Sequence, residues 1–410
     1  MMRLVLIVPR FPRLSETFIA SKFVGLVDAG WDVHIVCHQI ALEEWDRMPS
    51  LAGRSELRKR VHAQWRHEPR WAAVLLWLPV LLMTVARAPR AVARYWRAVR
   101  PRFGWGAFKR FYMDATLIAL GPDILHFEFG ALAVEQTYLK EALDCALGVS
   151  FRGYDLNYAG LENPDHYAQL WAAVDAVHVL GLALWQTAVE RGCPPDKPHA
   201  LIPPAIDKEL FAGGGLTRQM EGDNARALRI LSVGRLEWVK GYEYALCAAR
   251  ELARNDVPFE YRIIGEGSYL ESLAFARYEM GLESSVHFLG RQGQPAVIEQ
   301  MKWADVFLQA SVSEGFCNAV VEAQAMALPV VAADAGGLPE NVADGRTGFV
   351  VPRRDAAALA DKLALLAGDA ALRHRMGVAG RERVENCFSL PQQIAAFERF
   401  YREMVTNRAY

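Results

Sequence analysis

Two acidic residues in the C-terminal half flank a short loop and the start of the helical pattern that follows it. Glu314 and Glu322 are eight positions apart in this stretch. Backbone N–H groups at the start of a helix point outward and attract anions, so the loop predicts an anion site. Glu322, about one turn into the helix, could accept hydrogen bonds from a ribose diol. Taken singly, either acid could equally be a solvated surface residue. The loop residues are Gly315, Phe316, Cys317, Asn318 and Ala319.

Cations and glycines follow other predicted strands of the same half. Arg235 comes directly after a strand-like segment and Lys240 five residues later. A guanidinium fork and an ammonium both suit a pyrophosphate, although each cation alone could be an ordinary surface charge. The pair Gly265 and Gly267 lacks the third glycine of a dinucleotide fingerprint and alone indicates only a tight turn. That pair could also let the backbone approach a nucleotide, and Gly234 directly precedes Arg235. The stretch Gly336-Gly337-Leu338-Pro339, with Pro339 suited to the first helical position, would direct another helix N-terminus toward the same crevice.

Alternating strands and helices would position these loops. Short apolar segments rich in β-branched residues predict strands, with helical periodicity between them. The predicted strands are 4–8, 33–37, 124–127, 146–151 and 176–180 in the first half, and 229–233, 259–264, 286–289, 306–309, 330–332 and 349–351 in the second. This alternation predicts an α/β protein with two parallel sheets, each covered by helices on both faces. Ser15 is the expected N-cap of the first helix.

A proline- and glycine-rich stretch predicts the boundary between the two halves. Five prolines between positions 193 and 210 precede three consecutive glycines, so we expect an interdomain hinge between about 207 and 228. The expected domains are 1–207, 208–385 and a final helical segment, 386–410. Apolar residues at helical spacing in that segment must pack on another part of the protein.

The charge of the chain is balanced overall but unevenly distributed. The net charge of −1 argues against a nucleic-acid partner, because a protein that follows a phosphate backbone needs a basic excess. Residues 54–110 nevertheless hold fourteen Arg or Lys against two acids. The six cysteines are scattered without metal-ligand spacing, which predicts reduced thiols, no metal site and a cytoplasmic location.

Within this basic segment, residues 71–86 are almost wholly apolar. Sixteen residues fall short of a comfortable membrane span. One interpretation is an interfacial or re-entrant helix that places apolar side chains among acyl chains and the flanking arginines on anionic headgroups. The other is a buried core helix beside a solvated, arginine-rich neighbour.

The C-terminal motifs together resemble those of the retaining family 4 glycosyltransferases, or glycosyl transferases group 1. The motifs are Gly234-Arg235-Leu236, Lys240-Gly241, Glu314-Gly315-Phe316 with Glu322, and Gly336-Gly337-Leu338-Pro339-Glu340. The resemblance covers about 228–352. It implies a GT-B fold, in which two Rossmann-like domains face each other across a cleft and the last helix returns to the N-terminal domain. It also implies hexosyl transfer, with retention of the anomeric configuration, from a UDP- or GDP-linked sugar.

The same resemblance implies roles for individual residues. Arg235 and Lys240 would neutralise the diphosphate, Glu314 would bind hydroxyls of the transferred sugar, and Glu322 would bind the ribose. The base would lie near Gly290 and Arg291. No metal or other cofactor would be needed, because the leaving phosphate itself takes the proton of the acceptor.

The N-terminal half resembles, more loosely, transferases that build exopolysaccharides such as colanic acid. The motifs are Phe11-Pro12 with Leu14-Ser15-Glu16-Thr17-Phe18, His126-Phe127-Glu128-Phe129-Gly130 and Phe151-Arg152-Gly153-Tyr154-Asp155. The resemblance implies a glycan or a polyprenyl-diphosphate-linked saccharide as acceptor, at the inner face of the cytoplasmic membrane. The implied acceptor or sugar pocket comprises Ser15, Glu16, Thr17, His126, Glu128, Arg152 and Asp155.

Departures from the family pattern keep some of these roles open. Many members have His where Arg152 stands, so Arg152 would instead neutralise the donor phosphate or an anionic acceptor. His126 could also be a strand-end histidine bonded within the protein, and Asp155 a turn former.

Other classes of protein share parts of the pattern. A nicotinamide-dependent oxidoreductase should carry a glycine fingerprint after the first strand, but residues 9–14 contain no glycine. A nucleotide-sugar epimerase or a sugar phosphorylase would have the same fold. A catalytically inactive, membrane-associated assembly partner would have no need for the intact set Arg235, Lys240, Glu314 and Glu322.

Overall fold

The computed structural model describes residues 2–65, 69–206, 211 and 226–408. Contacts divide this chain into two compact units. The first comprises Met1–Leu180, Trp185–Ile202 and Leu390–Tyr410, and the second Gly181–Leu184 and Pro203–Ser389. The expected hinge falls mainly on 207–210 and 212–225, which lie outside the described residues, as does the 207/208 boundary.

Strands and helices alternate along the first half of the chain. Its elements are β1 (Arg3–Phe11), α1 (Thr17–Asp28), β2 (Asp32–Ile40), β3 (Val61–Ala63), α2 (Arg70–Arg87), α3 (Pro89–Phe103), α4 (Gly106–Leu120), β4 (Ile124–Phe127), α5 (Gly130–Ala133), α6 (Tyr138–Leu143), β5 (Ala146–Phe151), α7 (Gly153–Asn157), α8 (Ala168–Ala173), β6 (Ala176–Val179), α9 (Leu182–Glu190) and β7 (His199–Leu201).

The second half repeats this alternation and ends in consecutive helices. Its elements are β8 (Leu228–Val233), α10 (Tyr242–Arg254), β9 (Phe259–Ile264), α11 (Leu270–Glu279), β10 (Val286–Phe288), α12 (Gln294–Trp303), β11 (Val306–Gln309), α13 (Asn318–Ala325), β12 (Val330–Ala333), α14 (Leu338–Asn341), β13 (Gly348–Val351), α15 (Ala356–Gly368), α16 (Ala370–Cys387) and α17 (Leu390–Arg408).

Each unit is built on its own parallel sheet. Among the described residues the strand order is β3-β2-β1-β4-β5-β6-β7 in the first sheet and β10-β9-β8-β11-β12-β13 in the second. The inner strands β4, β5 and β11 are buried at every position, which explains their largely apolar sequences. The predicted α/β class with two Rossmann-like sheets is confirmed.

The C-terminal helix belongs to the first unit, as the predicted GT-B fold requires. Helix α17 packs against α1 and β5. Its apolar side chains Phe397, Tyr401 and Met404 are buried in the same core as Phe23 of α1. Helix α16 runs through Cys387, so α17 begins four residues after the expected start at 386.

The start of the first unit differs from the sequence prediction. Strand β1 extends past the expected end at residue 8, because Arg10 and Phe11 still pair with β2. A turn of 3-10 helix then occupies Leu14–Glu16, and the backbone N–H of Glu16 donates to Arg13 at 2.8 Å. The prediction of Ser15 as N-cap is therefore wrong, because Glu16 occupies the N-cap position of α1.

Candidate functional site

The predicted donor residues meet at one edge of the second sheet. Strands β8 and β11 are neighbours at its centre, and all its strands are parallel. The loops after β8, β9, β10, β11 and β12 therefore emerge at the same carboxyl edge, where ligands bind in open α/β sheets. These loops carry the residues that the sequence singled out.

An ion pair joins two of these loops. The ammonium Nζ of Lys240 lies 2.6 Å from Oε2 of Glu314, and the two side chains are 13% and 14% exposed. Burial disfavours the ammonium, but the Glu314 carboxylate outweighs this effect and raises the pKa of Lys240. Ser311 also donates its hydroxyl to Oε2 of Glu314, at 3.3 Å. Lys240 is therefore a fixed cation at physiological pH.

Arg235 supplies a second cation close by. Its side chain is exposed, and its charge is near enough to oppose the protonation of Lys240. Among the described residues no carboxylate is bonded to Arg235. Its guanidinium is thus available to an anion at the same edge, as the sequence predicted.

Close backbone contacts hold these loops together. The backbone N–H of Gly234 donates to the carbonyl of Ile264 at 2.9 Å, and that of Gly337 to the carbonyl of Glu314 at 2.8 Å. Gly336 has a φ of +56°, and a Cβ there would collide with the carbonyl oxygen of Glu314. Glycine is therefore required where the β12 loop passes Glu314.

Helix α13 starts directly after the Glu314 loop, where the sequence predicted a helix. Cys317 takes the N-cap position, and Asn318 is the first helical residue. The backbone N–H of Cys317 is occupied, since it donates to Oδ1 of Asn341 at 3.0 Å. Burial raises the pKa of the Cys317 thiol to about 12, which keeps it protonated and unsuited to nucleophilic attack. Outward-facing N–H groups at this helix end belong to residues after Cys317.

Glu322 has no hydrogen-bond or ion-pair partner among the described residues. Burial raises the pKa of its carboxyl to about 7, and no hydrogen bond compensates for this burial among the described residues. A buried carboxyl without a donor is costly when ionised. A ligand that offers two hydroxyl donors would remove that cost.

The residues expected near the nucleobase follow β10, which is an edge strand of the second sheet. Gly290 has a φ of +68°. Arg291 follows it and pairs with Glu266 at 3.1 Å, with side chains that are 69% and 62% exposed. Gly267 lies in the same loop as Glu266. The Arg291 side chain is therefore held only by an exposed ion pair.

Sequence patterns missed several supporting residues of the second unit. Gln309 donates its amide to Ser311 at 2.6 Å, and Ser311 in turn bonds Glu314. Asn341, which directly follows the Gly-Gly-Leu-Pro-Glu motif, fixes the start of α13 through Cys317. The position of Asn341 at the end of that motif was the only indication in the sequence.

In the first unit, the predicted residues Glu128 and Arg152 form an ion pair whose carboxylate is fully buried. Glu128 lies 2.6 Å from Nζ of Lys22 and 3.1 Å from a guanidinium nitrogen of Arg152. Despite complete burial, these two cations keep the pKa of Glu128 below its ordinary value. Arg152 also stacks on the ring of Phe18, with its guanidinium carbon 4.0 Å from the ring centre. No pattern in the sequence indicated Lys22.

His126 belongs to a buried hydrogen-bonded chain. Its Nε2 and the Nδ1 of His178 each lie 2.7 Å from the hydroxyl of Ser150, and Nε2 of His178 lies 2.9 Å from the carbonyl of Ile202. Burial, with nearby Lys22, holds the pKa values of both histidines well below the ordinary range. His126 is thus bonded within the protein through Nε2, whereas its buried Nδ1 has no hydrogen-bond partner among the described residues.

The remaining residues of the predicted acceptor pocket differ in their burial and in their contacts. Asp155 is buried and accepts hydrogen bonds from the backbone N–H groups of Ala131 and Arg152, both at 2.9 Å. It therefore caps α7. Glu16 pairs with Arg13 at 2.8 Å, and burial raises the pKa of its carboxyl. Thr17 begins α1, and the side chain of Ser15 lies outside the described structure.

The described residues contain neither a cluster of metal-ligating side chains nor a single helix that could span a membrane. Within the described ranges, no three His, Cys, Asp or Glu side chains are grouped as metal ligands. No described helix is by itself long and apolar enough to cross a bilayer. The helices Trp71–Arg87 and Pro89–Phe103 would together have the length and the apolar composition of a membrane span, but they are bent by 120° relative to each other.

Comparisons with known proteins agree with this arrangement. The model of the family "Glycosyl transferases group 1" matches residues 217–383. The chain is 28% identical to the "Putative colanic acid biosynthesis glycosyltransferase WcaL" of Escherichia coli K12, over 87% of this chain and 88% of that relative. It is 28% identical to the amylovoran biosynthesis glycosyltransferase AmsK of Erwinia amylovora, over 95% of this chain and 96% of the relative.

A solved structure is similar over nearly the whole chain. It is that of Anabaena Alr3699/HepE in complex with UDP, with a TM-score of 0.72 and 16% identity. The similarity covers 98% of this chain and 100% of the Anabaena chain. At this identity the likeness concerns the fold.

Proposed function

Because the chain is a group 1 glycosyltransferase of the exopolysaccharide type, we propose that it transfers a hexosyl group, with retention of configuration, from a nucleotide-diphosphate sugar to a glycan or a polyprenyl-diphosphate-linked saccharide. The observation that carries the proposal is the Lys240–Glu314 pair, with Arg235 and Glu322 at the same sheet edge. We place the reaction at the inner face of the cytoplasmic membrane.

Arg235 and Lys240 act on the leaving group. A glycosyl bond breaks most readily when the departing diphosphate is neutralised, since the transition state separates an oxocarbenium-like sugar from an anion. Lys240 uses one of its three N–H donors on Glu314, which leaves two for phosphate oxygens. The exposed guanidinium of Arg235 adds a planar fork.

Glu314 has a further role besides holding Lys240. Both bonds from Lys240 and Ser311 are made to its Oε2. Its Oε1 accepts no hydrogen bond from a described residue and is the natural acceptor for a sugar hydroxyl. This division lets one carboxylate orient the cation and the transferred sugar together.

Glu322 is assigned to the ribose. Its carboxyl accepts no hydrogen bond from a described residue, and a ribose diol supplies two donors. Binding of the nucleoside would then favour the ionised form, and one proton would leave the site as nucleotide binds. The UDP in the Anabaena structure makes uridine nucleotides the first to test, with guanosine nucleotides second.

In the proposal, Arg152 and Glu16 provide acceptor contacts in the first unit. Arg152 is 14% exposed and is fixed by Glu128 and Phe18, so its outer donors are pre-oriented. His126 and Asp155 serve as supports for this loop rather than contacts, since both are bonded internally.

Calorimetry with nucleoside diphosphates and their sugars tests the donor site. We expect one nucleotide family to bind the wild-type chain and to bind at least tenfold more weakly to Lys240→Ala and to Glu322→Ala. A matched control is Lys302→Ala, since Lys302 forms an exposed pair with Glu299 in the same unit. Absence of binding by every nucleotide would contradict the donor site and favour the inactive assembly partner.

Product analysis tests the remaining steps. Proton NMR of the product should show the anomeric configuration of the donor. An inverted product would refute retention. Donor turnover without transfer to any saccharide would indicate an epimerase or a phosphorylase instead.

A further inference from the structure

Helix α2 exposes a continuous apolar stripe. The stripe residues recur at helical spacing, so they share one face of the helix. They are Trp71, Val74, Leu75, Leu78, Leu82 and Val85, which are 68%, 75%, 68%, 56%, 61% and 37% exposed. A stripe of this length, about 21 Å at 1.5 Å per residue, is far larger than the scattered apolar residues of ordinary surfaces.

The stripe is exposed although α2 is packed firmly in place. The opposite face of the helix buries Val80 and Thr84, and Val80 packs with Tyr112 of α4. The indole N–H of Trp77 donates to the carbonyl of Phe108 at 3.0 Å. Helix α2 is therefore part of the folded first unit, and the core-helix interpretation accounts for only one of its faces.

A basic face lies on the next helix, α3. Arg90, Arg94 and Arg97 follow the i, i+4, i+7 pattern on the side opposite the buried Val92 and Val99. Of the three, Arg94 pairs with Asp144 at 2.7 Å. Among the described residues no carboxylate pairs with Arg90 or Arg97. Helix α3 follows α2 after the single residue Ala88 and is bent from it by 120°.

We infer that the stripe of α2 and the arginine face of α3 together bind an anionic lipid bilayer. The bend lets α2 lie in the interface rather than cross it. Apolar side chains would enter the acyl boundary while arginines contact lipid phosphates, as in interfacial helices. This docking surface is independent of the donor site.

A second copy of the chain fits this surface poorly. A twofold interface brings the same patch of both copies together. Residues 54–110 carry fourteen Arg or Lys and two acids, so such an interface would oppose like charges. An anionic bilayer would bury the apolar stripe and neutralise the arginines at the same time.

Vesicle flotation of the full chain tests the inference. We expect flotation with vesicles of phosphatidylethanolamine and phosphatidylglycerol, and little with pure phosphatidylcholine. The double variant Leu78→Glu with Leu82→Glu should lower the partition coefficient at least tenfold, as should Arg90→Glu with Arg97→Glu. The matched controls, Phe275→Glu with Leu365→Glu and Arg254→Glu, change exposed helical residues of the other unit and should float like wild type.

Further measurements distinguish a loss of lipid binding from misfolding of a variant. Unchanged melting temperatures show that each variant folds. Brominated lipids should quench wild-type tryptophan fluorescence, and Trp71→Phe should float normally yet lose that quenching. No binding of wild type to anionic vesicles would overturn the inference. So would a wild-type dimer that the stripe variant converts to a monomer without changing flotation.

Discussion

The ammonium of Lys240 and the carboxylate of Glu314 are 2.6 Å apart, although 74 positions separate the two residues in the sequence. The pair connects the segment after β8 with the loop after β11, which are adjacent strands of the sheet. Its effect is to keep a nearly buried lysine charged. A cation that is charged and fixed before a diphosphate arrives needs no reorganisation during the reaction.

Replacing Lys240 by Met should abolish this effect. We expect kcat to fall by about 100- to 1,000-fold, because one preorganised electrostatic contact to the leaving group is worth about 3–4 kcal/mol. The measurement is steady-state transfer with saturating donor, and Lys302→Met is the control. A decrease of less than threefold would remove Lys240 from the chemistry.

Glu314→Gln should separate sugar recognition from nucleotide recognition. The amide keeps the shape but loses the charge that holds Lys240 and one of the two acceptor oxygens for sugar hydroxyls. We expect the nucleoside diphosphate to keep its affinity within about threefold while the advantage of the intact nucleotide sugar over the diphosphate disappears. Calorimetry with both ligands measures this difference. An advantage equal to that of wild type would contradict contact between Glu314 and the sugar.

The raised pKa of Glu322 predicts that the free energy of unfolding depends on pH. Burial raises its folded-state pKa to about 7 from its ordinary value of 4.5. Between these two pH values the folded state binds more protons than the unfolded state, so the free energy of unfolding falls as pH rises. Above pH 7 the whole penalty is present, about 3 kcal/mol.

The variant Glu322→Gln checks this sign. It should be more stable than wild type at pH 8 and about equally stable near pH 4.5, yet bind nucleotide more weakly. Urea denaturation across this pH range is the measurement, with the exposed Glu299→Gln as control. Parallel curves for wild type and Glu322→Gln would show that Glu322 ionises normally.

Local sequence predicted the central strands well. The expected bounds of β4, β5, β9 and β11 equal those observed. Strands β4, β5 and β11 are largely apolar, whereas β9 begins with alternating apolar and charged residues, and polar or turn-forming residues lie at or directly after the end of each of them. Strands β3 and β7 were missed. Each has only three residues at an edge of the first sheet, which is too short to form a pattern.

The candidate site was predictable as a set of loops but not as a set of contacts. Parallel strands place their carboxyl ends together, so Arg235, Lys240 and Glu314 could be grouped from sequence alone. The Lys240–Glu314 bond depends on β8 and β11 being neighbours, which follows from chain crossover rather than local pattern. Lys22 pairs with Glu128 across 106 positions, and nothing near either residue indicates the other.

Cys317 should be chemically inert despite its place in the donor loop. Its pKa of about 12 leaves almost no thiolate at neutral pH. Iodoacetamide at pH 8 should therefore modify the exposed Cys387 and spare Cys317, as mass spectrometry of peptides would show. Cys317→Ala should retain at least a third of wild-type activity. Rapid labelling of Cys317, with inactivation, would indicate a catalytic thiol.

The buried carboxylate Glu128 should be essential for the stability of the first unit. Glu128→Gln leaves the cations of Lys22 and Arg152 buried without their anion, which should cost about 3–5 kcal/mol. Adding Lys22→Met removes one of these cations and should restore part of the loss. Urea denaturation of the two single variants and the double variant gives their coupling free energy. Additive effects would mean that the 2.6 Å contact between Lys22 and Glu128 contributes no net stability.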